Sequence, residues 1–350
     1  GNVMSKENWN LELSEYIKQG EPSRVEKTKT WETAIGLQDV DGLKTSKYLI
    51  DTAKEHIEGK ISINEAREKI NQYYKVLDDR GEEENTEEAD KVAVRITEIL
   101  SDRSFNFNPT ELISIHQRLF SGVYKHAGKI RDYNFTKNEW VLNGDTVIYA
   151  SYESIMDSLK YDFEQEKNFS YKNLSFDESV KHLCRFTSNI WQVHPFCEGN
   201  TRTTAVFIIK YLRTFGFNIN DDVFAENSWY FRNSLVRANY KKFDSNIFED
   251  ISFLEKFFYN LLSNTHYELK NRYMHVDYVK NDDDLKCNTY TLEEQAIINI
   301  IKENPSVKQE EIAKKIDKSL RTVKNRMDEM QEKGLIARQN GKRNGEWVIL

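Results

Sequence analysis

At 350 residues the chain exceeds the usual single-domain size, and 39% hydrophobic against 31% charged residues suits a globular protein with two or three cores. A net charge of −7 excludes a chain that binds nucleic acid over its whole surface, and three widely spaced cysteines (Cys184, Cys197, Cys287) exclude a disulfide framework. No stretch reaches the roughly 20 apolar residues needed to span a bilayer, and GNVMSKENWN at the start lacks the charge and apolar core of a signal peptide, so a reducing, cytoplasmic setting without membrane partners is expected. Few prolines and glycines (4 and 14) among frequent Glu, Lys, Leu and Ile favour a mainly α fold.

In chain order, residues 47–57 and 63–74 carry apolar side chains at helical spacing. Ser62 with Glu65 three residues on reads as a capping box, and Gly59 ends the helix before it. Residues 78–90, DDRGEEENTEEAD, hold eight acidic side chains against one arginine and read as a linker or solvated helix start. Helical patterns follow at 88–100, 110–124, 152–166, 175–192 and 201–214. Between them WVLNGDTVIY, residues 140–149, places two apolar runs around Asn143-Gly144, a hairpin signal. A second polar break, KNDDDLKCN, occupies 280–288. These breaks divide the chain into an N-terminal helical segment 1–77, a linker 78–90, a core 91–279, a linker 280–288 and a tail 289–350.

The stretch HPFCEGNTRTTAVF, 194–207, brings a histidine, a carboxylate, an amide and an arginine close together before turning apolar. His194 and Glu198 have the spacing of helical metal ligands, but Pro195 and Gly199 oppose a continuous helix, which disfavours zinc. A helix ending near Val193, a tight loop and a new helix from Thr201 would aim free N–H groups, the helix dipole and Arg202 at one point, a cradle for phosphate. Glu198 could then hold a hard cation, Asn200 a phosphate, and His194 a proton, while Phe196 anchors the loop inward. A capped helix junction with a surface histidine is the alternative reading.

The tail has helical patterns at 291–304, 307–316 and 319–336, then LIARQNGKRNGEWVIL with a basic turn between two apolar arms. This pattern reads as a winged helix-turn-helix. Residues 291–350 hold twelve Lys and Arg against ten Asp and Glu, a modest surplus for a nucleic-acid binder, so protein docking stays open beside DNA. For DNA, Ser319 would cap the recognition helix, Arg321, Thr322, Asn325 and Arg326 would reach the major groove, and Lys342 and Arg343 would touch backbone or minor groove.

The run 194–202 resembles the signature of the Fic family, H-P-F-x-[D/E]-G-N-[G/K]-R-x-x-R, at His194, Pro195, Phe196, Glu198, Gly199, Asn200 and Arg202. HQRLFSGVYKHAGKIRDYNFTK (116–137) and WYFRNSLVRANY (229–240) resemble flanking parts of the same core, so roughly 88–262 is involved. The resemblance implies transfer of AMP from ATP to a Ser, Thr or Tyr hydroxyl of a protein, this chain included, with Mg²⁺ on the phosphates. His194 would be the base, Glu198 the Mg²⁺ ligand, and Gly199, Asn200, Thr201 and Arg202 the nucleotide contacts. A β-hairpin flap through Trp140, Val141, Val147, Ile148 and Tyr149 would hold the target by strand addition. Thr201 stands where the family has Gly or Lys, and Ala205 where it has a second arginine.

WETAIGLQDVDGLKTSKYLIDTAKEHIEGKISINEAREKINQYY, 31–74, resembles the VbhA-type antitoxins that inhibit Fic toxins. In their pattern [S/T]-x-x-x-E-[G/N], the positions here are Leu37, Asp41 and Gly42. With Asp41 short and Ala205 lacking a guanidinium, the usual inhibitory pair is expected to be lost and Leu37 to be a core residue. A DNA-binding regulator that senses nucleotide, a de-AMPylating enzyme and a homo-oligomer are the other expectations left open.

Overall fold

Helix starts in this chain are set by side-chain oxygens. Ser46, Ser62, Asn108, Ser175, Thr291 and Ser319 each accept the N–H of the residue three positions on, and Ser62–Glu65 and Thr291–Glu294 are complete capping boxes. The computed structural model describes residues 6–18, 22–219, 222–263, 265–279, 290–340 and 345–350. The fold is mainly helical. In order come α1 (Lys6–Lys18), α2 (Pro22–Gly36), a 3₁₀ turn (Leu37–Asp41), α3 (Lys47–Ile57) and α4 (Ile63–Asp79). Then follow α5 (Glu87–Ser101), α6 (Pro109–Phe120), α7 (Ile155–Asn168), α8 (Phe176–Val193), α9 (Asn200–Thr214), α10 (Val223–Ala238) and α11 (Ser252–Leu262). The tail forms α12 (Leu292–Glu303), α13 (Gln309–Ile316), α14 (Leu320–Glu332), β1 (Ile336–Gln339) and β2 (Glu346–Ile349). The two strands pair antiparallel, Ile336 opposite Ile349, as the wing of a winged helix. None of the described helices is long and apolar enough to cross a membrane.

One apolar core runs from Leu13 to Met274, and a second, from Ile297 to Trp347, belongs to the winged helix. The acidic stretch 78–90 therefore separates no cores. It spans the end of α4, the turn at 80–86 and the start of α5, and part of it is buried: Asp90 accepts the backbone N–H of Ser46 at 2.9 Å, the Ser46 hydroxyl at 2.6 Å and the Tyr74 hydroxyl. Burial pushes the Asp90 carboxyl up to about 7 despite those donors. The expected linker 280–288 lies outside the described residues.

α9 is the axis of the larger core, with every residue from Asn200 to Leu212 buried. The Lys210 ammonium reaches across to the carbonyls of Ile99 and Asp102, 2.9 and 2.8 Å away, and closes the end of α5. α2 delivers the turn 37–41 to α10 by close approach at Gly36, where a Cβ would overlap the Ala225 backbone.

The expected hairpin at 140–149 does not form as strands. Asn143 and Gly144 do make a left-handed turn (φ 55° and 91°), and Glu139 N–H reaches the Asp145 carbonyl at 3.0 Å. Beyond that point the arms find other partners: the Val141 carbonyl accepts from Val276 N–H at 2.9 Å, and Val141 and Val147 are both buried in the core. A 3₁₀ turn covers Trp140–Leu142 instead.

Gly36→Ala should lose about 1–3 kcal/mol, because the added methyl meets backbone that cannot rotate away. Urea unfolding of the two proteins measures the difference.

Candidate functional site

The loop between α8 and α9 is built from two left-handed residues and a set of fixed hydrogen bonds. His194 ends α8 with φ 52°, and Gly199 starts α9 with φ 82°. A Cβ at Gly199 would also overlap the Phe120 ring, so glycine is required twice over. Arg131 donates to the carbonyls of His194 (2.7 Å), Val193 (3.1 Å) and Tyr133 (2.9 Å). His116 stacks on Phe196 at 3.8 Å, accepts Gly128 N–H at Nδ1, and donates from Nε2 to the Glu198 carbonyl at 2.8 Å. Phe196 is buried, as its position between polar neighbours suggested.

His194 is 1% exposed and lies flat against Tyr149, ring centroids 3.8 Å apart. Its Nδ1 sits 3.1 Å from the Trp191 carbonyl, which can accept but not donate, so Nδ1 carries the proton. Nε2 is then a buried lone pair with no partner. Burial first, then the charge of Lys137, hold the imidazole well below its ordinary pKa, so it stays neutral. The result is a neutral imidazole with a free acceptor nitrogen. Glu198 is exposed on the same loop.

Three of the expected nucleotide contacts are otherwise engaged. The Asn200 amide donates to the Phe196 carbonyl (2.7 Å) and accepts its N–H (3.0 Å), so it fastens the loop rather than facing outward. Thr201 accepts the Trp191 indole N–H at 2.9 Å. Arg202 is 1% exposed: it donates to Gln38 (3.0 Å), Glu88 (2.8 Å) and the Tyr124 hydroxyl (3.2 Å), and lies over the Phe120 ring.

Position 205 carries no guanidinium, and Asp41 pairs instead with two other arginines. Its Oδ2 stands 2.9 Å from Arg202 Nε, an ion pair without hydrogen-bond alignment, and its Oδ1 accepts from Arg232 of α10 at 2.8 Å. Arg232 also bonds Glu139 at 2.8 Å and the Val40 carbonyl at 3.1 Å. Burial alone would raise the Asp41 carboxyl, but Arg202, Arg232 and then Lys137 outweigh it and hold it below its ordinary pKa. The short side chain reaches because the 3₁₀ turn ends on Gly42 (φ 67°), which brings the backbone itself into the site. Leu37 is fully buried in the core, as expected for that position.

Of the flap residues, Val141, Val147 and Tyr149 are buried, Trp140 is half-buried against Trp229, and Ile148 is 83% exposed. In the winged helix, Ser319 caps α14, and Arg321, Thr322 and Asn325 are exposed. Arg326 turns to the other side, paired with Glu293 (3.4 Å) and Glu329 (3.0 Å). Lys342 and Arg343 lie outside the described residues. Sequence reasoning missed Arg131, Lys137, Gln38, Glu88 and Arg232. Arg232 stands inside a segment that was recognised, yet nothing local sets it apart from other arginines.

A helical core organised around a histidine loop, followed by a winged helix, is the class this geometry defines. Residues 106–212 match the Fic/DOC family and residues 294–337 a winged helix-turn-helix DNA-binding family, so the chain carries a Fic domain and is homologous to Fic proteins. Protein adenylyltransferase VbhT of Bartonella schoenbuchensis is 28% identical over 161 residues, which cover 43% of this chain. The match takes in 32% of that curated relative, about a third of its length. Among solved structures, the N-terminal Fic domain of Bep8 from Bartonella sp. 1-1C is 20% identical over 49% of this chain and 82% of its own, TM-score 0.39. A Fic family protein from Desulfovibrio desulfuricans G20 is 13% identical over 100% of this chain and 97% of its own, TM-score 0.42.

Removing the shared carboxylate leaves Arg202 and Arg232 with one acidic partner each. Asp41→Ala should therefore cost about 3 kcal/mol, the lower end for breaking a buried ion pair. Chemical denaturation in the absence of nucleotide gives the value.

Proposed function

We propose that the chain is a protein adenylyltransferase whose Fic site is held shut by its own N-terminal turn. The observation that carries this reading is the pairing of an unpartnered, buried His194 Nε2 with two arginines that share one carboxylate beside the α9 N-terminus. His194 takes the proton of a target Ser, Thr or Tyr hydroxyl as its oxygen attacks the α-phosphorus of ATP. The bond to the bridging oxygen breaks and pyrophosphate leaves. Arg202 and Arg232 hold the phosphates once Asp41 has withdrawn, so Arg232 supplies from α10 the guanidinium that position 205 lacks. The exposed Glu198 carboxylate suits a hard cation such as Mg²⁺, which would neutralise charge on phosphate oxygens. Exposed Ile148, on the segment after the turn at Asn143 and Gly144, is the contact for the target chain.

On this reading residues 31–74 act as a built-in counterpart of the VbhA-type antitoxins, with Asp41 as the occluding group. Removal of AMP by an Asp41-bound water fits less well, since both carboxylate oxygens face guanidiniums. A nucleotide sensor that transfers nothing is the second reading, favoured by the same closed clamp. The winged helix adds DNA as a partner beside the protein target.

With ATP labelled at the α-phosphate, label should pass to protein; label from the γ-phosphate should not. His194→Ala should lower transfer by about 10²–10⁴-fold and leave nucleotide affinity nearly unchanged. Loss of nucleotide binding in that variant would contradict its assignment as the base. The depressed pKa keeps His194 unprotonated below its ordinary 6.5, so the acid limb of kcat/KM against pH should lie below that value. An acid limb centred above 6.5 would assign the titration to another group.

A further inference from the structure

The turn that carries Asp41 is gripped from its far side by the wing. Gln339, at the end of β1, donates to the Asp39 carbonyl at 3.2 Å, and the Asn340 amide donates to the Gly42 carbonyl. Lys44 bridges Asp39 (3.2 Å) and Glu346 of β2 (3.6 Å), with all three side chains largely buried. The Asn340 amide sits so closely over Gly42 that any side chain there would displace it. Six residues, 39–44, are thus held between the two arginines of the catalytic core and the two strands of the winged helix.

The same docking brings the turn beside the face a recognition helix uses. Arg321, Lys324, Asn325 and Asp328 follow the i, i+3, i+4, i+7 spacing of one helical face. Lys324 and Asp328 line a cleft of about 1090 Å³ that Gly42, Lys44 and Asn85 also line. A major groove is about 12 Å wide, and the strands bordering it must flank the inserted helix. A bordering strand seated over Lys324 and Asp328 would enter the cleft that the turn and Asn85 also line, so a duplex on α14 and the docked turn compete for that space.

We propose that duplex DNA opens the nucleotide site, by pulling the wing off residues 39–44 and leaving Asp41 without its outer support. The interaction surface is the α14 face with β1 and β2, and its partner is a duplex recognised by phosphate and groove contacts. The proposal rests on the nucleotide reading above. By reciprocity, a nucleotide that displaces Asp41 from Arg202 and Arg232 raises duplex affinity by the same factor.

The test uses the full chain, Mg²⁺ with α,β-methylene ATP, and a mixed-sequence duplex at low salt, with nucleotide affinity read by calorimetry. Saturating duplex should tighten nucleotide binding about tenfold, within the usual range of such couplings. A Gln339→Ala, Asn340→Gly double variant should show the same gain without duplex and little more with it. Glycine keeps the left-handed backbone at position 340 (φ 68°), so the wing itself is preserved, and an unchanged melting curve confirms this. Equal affinity with and without duplex, weaker binding with it, or no duplex binding at any salt concentration overturns the proposal. If Asp41→Ala gains affinity while the wing variant does not, the coupling is wrong and the nucleotide reading survives. If Asp41→Ala binds no nucleotide, the nucleotide reading itself is wrong.

Discussion

The carboxylate of Asp41 is the joint on which the architecture turns. It ties three elements distant in sequence: the 3₁₀ turn after α2, the buried axis α9 through Arg202, and α10 through Arg232. Each contact is made in surroundings where an unpaired charge is costly, so while Asp41 is in place the three elements hold one relative position. Gly36 allows that position, since only there can α2 lie against the Ala225 backbone and bring the turn into reach. Gly42 completes it by reversing the chain once the carboxylate is in place.

Ion pairs of this kind contribute little net stability, because desolvation offsets most of the attraction. Their value is discrimination between states. Asp41 is 23% exposed on its side chain whereas Arg202 is 1% exposed, so the acid can leave toward solvent while the base stays fixed. The loop is held separately: Arg131, His116 and the Asn200 amide bond backbone groups and none of these bonds involves the turn. A rigid loop and a removable plug can coexist because different hydrogen bonds serve each.

Local signals in the sequence were sufficient for the helices and the histidine loop. Ser62, Ser175, Thr291 and Ser319 mark helix starts that their side chains do cap, and Pro195 with Gly199 bounds the loop where the chain breaks from α8 to α9. What could not be read is what depends on distant partners. Asp41 and Arg232 are 191 residues apart, and no local pattern announces that they meet. The acidic run 78–90 reads as solvated because charge alone is visible, whereas Ser46 and Tyr74 supply the donors that let Asp90 be buried, and Arg202 claims Glu88. At 140–149 the turn residues behave as their types require, but Val276 takes the carbonyl that the facing strand would have used. Burial of Val141 and Val147 then outweighs the pairing of the two arms.

The position of the second arginine follows from the burial of α9. Every residue from Asn200 to Leu212 is enclosed, and Ala205 is fully buried among them, so a guanidinium there would need space and partners that the core does not provide. Arg232 approaches from α10 instead, with Glu139 as its fixed partner, just as Arg202 keeps Glu88. With Asp41 in place, three positive groups, Arg202, Arg232 and Lys137, face three carboxylates. On the proposed reading, withdrawal of Asp41 would leave both arginines paired with their remaining acids and one positive charge uncompensated. A site in that condition is already arranged for an anion with several oxygens, and the plug that fills it in the closed state is the nearest thing to one that the chain itself can supply.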